Sequence, residues 1–143
     1  MVLKSTSENL LTRIYATPES ARIPGVPDGV IVERGRQVFL SGHVPMNDEG
    51  KILPPDFRTQ VIQVFENLKR TMKHAGIESH NLVRITIYVC DLKPEYLAII
   101  RDARSLIIDP ANPPASTLIG VESLFNREVK FEVDLFAVIS DAA

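Results

Sequence analysis

Apolar residues recur at steps of three and four between Phe57 and Ala75, which predicts a long amphipathic helix with one buried face. Gly76 follows the last of them as a stop signal. A similar spacing runs from Tyr96 to Ile107, after Pro94 in a position that suits a first helical turn and before the break at Asp109-Pro110. We therefore expect two helices.

Alternation of apolar and polar residues predicts strands at 82–89, 116–121 and 128–138. Two shorter β-branched runs, 29–33 and 37–40, flank Arg34-Gly35-Arg36, and a glycine between such runs is typical of an antiparallel hairpin. In the last strand, Val129, Phe131, Val133, Leu135 and Ala137 share one face. The opposite face carries Lys130, Glu132, Asp134, Phe136 and Val138.

The order of these elements favours a single α+β domain over residues 1–143, with residues 1–12 as a loose N-terminal segment. Strand–helix–strand connections return to the same sheet, so both helices should lie on one face of a mixed sheet. The other face then needs a cover. A chain of 143 residues has few residues left to cover that face, so a second subunit is the expected cover, which predicts a homo-oligomer.

Composition narrows the class of protein. The formal net charge is −2 and the basic residues form no stripe interleaved with aromatics, so nucleic acid is not an expected partner. No apolar stretch reaches the roughly 20 residues that span a bilayer, so a membrane role is not expected either. The single Cys90 gives no sign of an oxidising compartment. These features predict a cytoplasmic protein.

Glu132 is the first candidate for chemistry. On the polar face of the last strand, beside Asp134, it is either a solvated carboxylate or a carboxylate enclosed by a cleft, where partial burial would raise its pKa and allow proton transfer near neutral pH. His43 is either a structural hydrogen-bonding residue or a ligand contact. The three histidines show no metal-ligand spacing, so no metal site is expected.

The segment 112–121 reads NPPASTLIGV. Pro113 and Pro114 fix the backbone direction just before Ser116 and Thr117. This indicates that the side chains at the start of the strand need a defined direction. No nucleophile elbow surrounds either hydroxyl. Both are therefore candidate binding groups, as is Arg127 in the turn before the last strand.

Three segments together resemble the RidA/YjgF (Rid) family: SGHVP at 41–45, PAST at 114–117 and VKFEVDLFAV at 129–138. The resemblance runs from about Gly25 to Val138. It implies a chorismate-mutase-like α+β protomer that assembles as a homotrimer, with ligand clefts between subunits. It also implies hydrolysis of reactive imines or enamines, small-molecule substrates, to a carbonyl compound and ammonia, with no metal or organic cofactor.

Carried over by position, Glu132 matches the glutamate that positions water and Ser41 matches the pocket serine. His43 falls where the family often has glutamine. Ser116 stands where the family has the arginine that grips the substrate carboxylate, and Ile100 falls near an expected asparagine. One hydroxyl cannot replace a bidentate guanidinium, so the resemblance is to an atypical member acting on a substrate other than a simple 2-imino acid.

Three functions follow. The first is an imine or enamine deaminase in which Ser116, Leu118 and Glu132 line one intersubunit pocket. Ser41 and Thr117 are further substrate-binding candidates, and Arg127 or His43 serves as a substitute anchor. The second is a non-catalytic trimer that binds a small metabolite in the same cleft. The third, RNA cleavage, is disfavoured by the acidic balance.

Overall fold

The computed structural model describes residues 9–141 as six strands and two helices, with short 3-10 turns at Glu19–Ala21 and Ser79–Asn81. The strands are β1 (Leu11–Ile14), β2 (Gly29–Val32), β3 (Arg36–Phe39), β4 (Leu82–Cys90), β5 (Ala115–Val121) and β6 (Phe131–Ile139). The helices are α1 (Phe57–Ala75) and α2 (Tyr96–Arg104).

Helix α1 begins and ends as its sequence predicts. Asp56 caps its first turn by accepting a hydrogen bond from the Thr59 N–H at 3.1 Å. Gly76 ends it in the left-handed conformation at φ 72°, which a residue with a Cβ adopts only with strain. Helix α2 ends at Arg104, five residues before the predicted break, and the chain continues to Ile108 in turns.

The main sheet has the order β3-β6-β4-β5, with β4 and β5 parallel and the other neighbours antiparallel. Apolar side chains of α1 and α2 pack on one face of it, against buried residues of β4 and β6 such as Ile85, Phe131 and Val133. The predicted α+β class, with a mixed sheet and both helices on one face, is confirmed.

The predicted hairpin is wrong, although both of its strands exist. β2 pairs with β1, and β3 pairs with β6, so Arg34-Gly35-Arg36 passes the chain between two sheets. Gly35 has φ 111°, and a Cβ there would lie 2.5 Å from Cγ1 of Val138 on β6. The expected loose segment 1–12 is also wrong at its end, because Leu11 and Thr12 belong to β1; residues 1–8 lie outside the described range.

The sheet face opposite the helices is largely open. At one end β1 and β2 contribute Leu11, Val30 and Val32 to a small second cluster with Val83 and Val138. Elsewhere this face exposes apolar surface: Phe39 is 72% exposed and stacks on Phe136 with ring centroids 4.6 Å apart. Within residues 9–141, neither helix combines the length and hydrophobicity that a bilayer crossing requires.

Candidate functional site

Glu132 is the second residue of β6 and lies on the sheet face opposite the helices. Its neighbours in the strand, Phe131 and Val133, are fully buried in the core, so the backbone that carries Glu132 is firmly held. The side chain itself is only partly buried. Burial, and to a smaller extent the charge of Asp134, raise the pKa of Glu132. A carboxyl with a raised pKa can exchange protons closer to neutral pH.

The backbone of Gly42 lies directly against the Glu132 carboxyl group. A Cβ at position 42 would stand 2.8 Å from Oε2 and 2.9 Å from Cδ of Glu132, inside any normal contact distance. Only glycine therefore leaves room for the carboxylate in this position. The glycine of SGHVP is thus explained by the glutamate that it faces.

His43 fixes this segment between β6 and α1. Its backbone exchanges hydrogen bonds with Val133, at 2.7 and 3.1 Å. Nδ1 of its ring donates to the Ser41 carbonyl at 2.8 Å, and Nε2 is hydrogen-bonded to the Thr71 hydroxyl at 2.7 Å. Both ring nitrogens are engaged within the chain, which favours the structural interpretation of His43 over the ligand contact.

Gln60, which sequence reasoning missed, holds the start of β6. It is fully buried; Nε2 donates to the Glu128 carbonyl at 2.7 Å, and Oε1 accepts from the Lys130 N–H at 2.9 Å. The signal in the sequence was a glutamine at a buried position of α1, because a buried side-chain amide is normally hydrogen-bonded to another group. This contact fixes the strand that carries Glu132.

A row of polar side chains continues from Glu132 across the same face. The register places Tyr88 beside Glu132, and the Tyr88 hydroxyl donates to Oδ2 of Asp134 at 3.2 Å. Burial and the Asp134 charge raise the pKa of Tyr88. Arg84 donates to the Thr117 hydroxyl at 3.0 Å, so Thr117 also lies on the Glu132 face. Tyr88 and Arg84 were missed, although strand alternation puts both on the polar side of LVRITIYV.

Ser116 and Leu118 lie on the other face of the sheet. Ser116 pairs with Ile85, and Ile85 also pairs with Leu135, so all three point towards the helices. There Ser116 and Leu118 line a cavity of about 520 Å³ between β5, α2 and the segment 23–26. Within one chain, Ser116 and Leu118 therefore do not share a pocket with Glu132. The pocket between subunits stays a prediction.

Two arginines of α2 line the same cavity. Arg101 is exposed, whereas Arg104 is half-buried and burial lowers its pKa. Ile100 also lines this cavity. The two positions where the resemblance expects ligand-binding residues, 100 and 116, thus meet in one cavity.

The remaining candidates lie elsewhere. Arg127 is exposed and lines a separate cavity of about 240 Å³ with Cys90 and Lys130. Cys90 is 6% exposed, and its thiol donates to the Val129 carbonyl. Ser41 is exposed at the start of the segment that packs on Glu132. Of the candidates, Thr117 is on the Glu132 side, Ser41 is next to Gly42 in the chain, and Arg127 does not line the Ser116 cavity.

Comparison with known proteins gives the class of protein. Residues 28–139 match the family model described as Endoribonuclease L-PSP. A RutC family protein of Aquifex aeolicus is 33% identical over 122 residues, which cover 85% of this chain and 96% of that protein. A protein of Escherichia coli K12 named reactive intermediate deaminase TdcF is 28% identical over 126 residues, which cover 85% of this chain and 95% of TdcF.

Solved structures agree. The crystal structure of the Rid family protein YyfB from Yersinia pestis superposes with a TM-score of 0.77 at 28% identity, covering 89% of this chain and 98% of YyfB. The α+β fold and the sequence matches define a domain of the Endoribonuclease L-PSP class. The chain belongs to the Rid/YjgF family, as the resemblance predicted.

Proposed function

We propose that this protein hydrolyses a reactive imine or enamine to a carbonyl compound and ammonia, and that Glu132 is the catalytic carboxylate. The observation that carries the proposal is the Glu132 carboxyl group, which has a raised pKa and lies against the glycine backbone at position 42. Similarity to a relative named reactive intermediate deaminase supports the same reaction.

The chemistry needs no group beyond the protein and water. Ionised Glu132 accepts a proton from a water molecule as the water oxygen bonds to the C=N carbon. From a protonated imine this gives a neutral carbinolamine, which receives that proton on nitrogen. Glu132 then accepts the hydroxyl proton as the C–N bond breaks and the carbonyl forms, and it passes this proton to the departing ammonia, which leaves as ammonium. An enamine enters the same sequence after protonation at carbon gives the imine. The glutamate is regenerated in its ionised form.

The complete site is proposed to lie between subunits of a homotrimer. Glu132 and the Ser116 cavity are on opposite faces of the sheet, so a common cleft requires two copies. Exposed apolar side chains on the open sheet face, including Phe39 and Ile119, support burial of that face against a second copy. In this arrangement one subunit contributes Glu132 and Gly42, and its neighbour contributes Ser116 and Leu118.

Ammonia release tests the proposal. Imines generated in place by amino-acid oxidases, together with carboxylate-free enamines, would be offered to the wild-type protein and to Glu132→Gln. We expect the variant to lose about a hundredfold or more in rate, which is typical for removal of a general base. Glu66→Gln is the matched control, because Glu66 is exposed on the solvent side of α1.

Two results would contradict the proposal. If the wild type and Glu132→Gln both match the uncatalysed rate with every imine and enamine, the protein is a metabolite-binding relative without this activity. If sedimentation shows a monomer at micromolar concentration, the two halves of the site never meet. The substrate is proposed to differ from a simple 2-imino acid such as the imine of pyruvate, because Ser116 offers no guanidinium on β5.

A further inference from the structure

Arg104 is an unpaired cation in the wall of the Ser116 cavity. It lies in the last turn of α2, half-buried, with its pKa lowered by burial alone. Within residues 9–141, no hydrogen bond or ion pair joins it to another residue. Its five N–H donors therefore have no acceptor among these residues, and the residue lines the cavity.

An unpaired, partly buried guanidinium is unfavourable for folding. Transfer of a charge away from water costs free energy unless an opposite charge compensates it. The partial negative charge at the end of α2 favours a cation there, but it supplies no acceptor for the guanidinium donors. Such a cost is understandable where the charge serves a ligand, since binding sites commonly trade stability for function.

The rest of the cavity shows what kind of ligand fits. Its walls are mainly aliphatic, from Ile87, Leu97, Ile100, Ile108 and Leu118, and the hydroxyls of Ser105 and Ser116 are its small polar groups. A volume of about 520 Å³ falls within the range of small-molecule sites. Exposed Arg101 adds a second positive charge at the same cavity. The cavity suits a molecule with one anionic group and a bulky apolar part.

We propose that Arg104 binds the carboxylate of the substrate, so that the anion anchor has moved from strand β5, where Ser116 now stands, to helix α2. The substrate is then an imine or enamine that carries a carboxylate and a large apolar substituent. A guanidinium matches a carboxylate with two parallel hydrogen bonds, which a serine hydroxyl cannot offer. This inference rests on the proposed function, because it specifies the substrate of the same site.

Direct binding of a stable product analogue tests the inference without catalysis. Phenylpyruvate has both the carboxylate and the apolar group; its methyl ester lacks the charge, and pyruvate lacks the apolar part. Calorimetry should show that the wild type binds phenylpyruvate more tightly than either comparison compound. Loss of a charge-assisted contact in Arg104→Gln should weaken phenylpyruvate binding by about tenfold to a hundredfold and leave the ester unchanged.

Two further variants control the experiment. Arg104→Lys keeps the charge without the fork and should fall between the wild type and Arg104→Gln. Arg58→Gln removes an exposed arginine near the start of α1 and should bind as the wild type does. Arg104→Gln should unfold at the same or a higher temperature and keep its oligomeric state. A lower unfolding temperature with loss of the oligomer would show that Arg104 pairs with another subunit, and would overturn the inference.

The remaining outcomes separate this inference from the proposed function. Equal phenylpyruvate affinity in the wild type and Arg104→Gln, or no saturable binding in the millimolar range, overturns the Arg104 anchor even if hydrolysis depends on Glu132. Conversely, binding that depends on Arg104 together with ammonia release that ignores Glu132→Gln upholds the anchor and refutes the hydrolase. If binding depends on Arg104 and hydrolysis depends on Glu132, Arg104→Gln should raise KM far more than it lowers kcat for carboxylate substrates.

Discussion

Replacement of Gly42 by alanine tests whether the position of the Glu132 carboxylate matters for the reaction. The new Cβ would stand 2.8 Å from Oε2, so the carboxylate must retreat by about 0.6 Å to reach a normal contact distance. The obstructed atoms are the far end of a flexible side chain, and Gly42 is not among the glycines with positive φ. The backbone can therefore keep its conformation while the carboxylate moves.

The expected effect is large on the rate and small on stability. A misplacement of 1 Å can cost a hundredfold in rate, so a shift of about 0.6 Å should lower kcat/KM by roughly tenfold. The free energy of unfolding should change by no more than about 1 kcal/mol. Alanine lowers the conformational entropy of the unfolded chain, and this stabilisation offsets part of the unfavourable contact between its Cβ and the Glu132 carboxylate.

Imine hydrolysis and thermal unfolding would be measured on the same preparations. Gly29→Ala is the matched control. Gly29 lies in β2, in the two-stranded sheet with β1, and a Cβ there would meet Cδ1 of Ile14 at an ordinary 3.5 Å. The reasoning is refuted if Gly42→Ala keeps the wild-type kcat/KM. It is equally refuted if Gly29→Ala loses as much activity as Gly42→Ala.

Two other predictions concern Glu132. Burial and the Asp134 charge raise the pKa of Glu132 in the folded protein. Above that raised pKa, ionisation of Glu132 therefore lowers the free energy of unfolding. Below the ordinary pKa range of a glutamate, Glu132 is protonated in both the folded and the unfolded state, and the effect is absent. Glu132→Gln should therefore unfold at a higher temperature than the wild type at neutral pH, and the difference should vanish on acidification; a difference independent of pH would contradict this cause. The second prediction concerns the two halves of the site. When Glu132→Gln and Arg104→Gln chains are refolded together in equal amounts, about a quarter of the interfaces in a cyclic trimer join two intact halves, so kcat/KM should recover to roughly a quarter of the wild-type value. Activity no higher than that of the separate variants would show that each site is built within one chain.

Sequence patterns predicted the elements that bury a regular face. The apolar period from Phe57 to Ala75, followed by Gly76, gave both ends of α1, because the buried face and the stop signal both lie within or next to the helix itself. The alternation in β6 likewise separated Phe131 and Val133 from Glu132 correctly. These features depend on local spacing, which the sequence displays directly.

Partners in space were harder to predict. The runs around Gly35 looked like a hairpin, but a turn signal does not reveal whether a chain returns to its own strand or crosses to another. The four-residue strand β1 was missed because LTRI has too few residues for a period, and its stability comes from pairing with β2. Strand pairing over long sequence separations decides both cases.

The candidate site shows the same limit. Alternation within β5 and within β6 is clear in the sequence, but which face of β5 shares a side with Glu132 depends on the register of both strands against β4. That register puts Thr117 with Glu132 and sends Ser116 to the helix side. The half-burial of Arg104 and its place in one cavity with β5 and the segment 23–26 depend on the tertiary fold, which the helical period does not show.

The separation of Glu132 from the Ser116 cavity has a consequence for how such a protein can diversify. Glu132 belongs to a strand whose alternate residues fill the core, so changes near it threaten the fold. Arg101, Arg104 and Ser105 project from the last turn of α2 and just beyond it, where substitutions disturb few core contacts. Mutation can thus change which molecules enter the cavity while the Glu132 carboxylate, the proposed catalytic group, is preserved, so that selection can act on ligand preference and on the proposed chemistry almost independently.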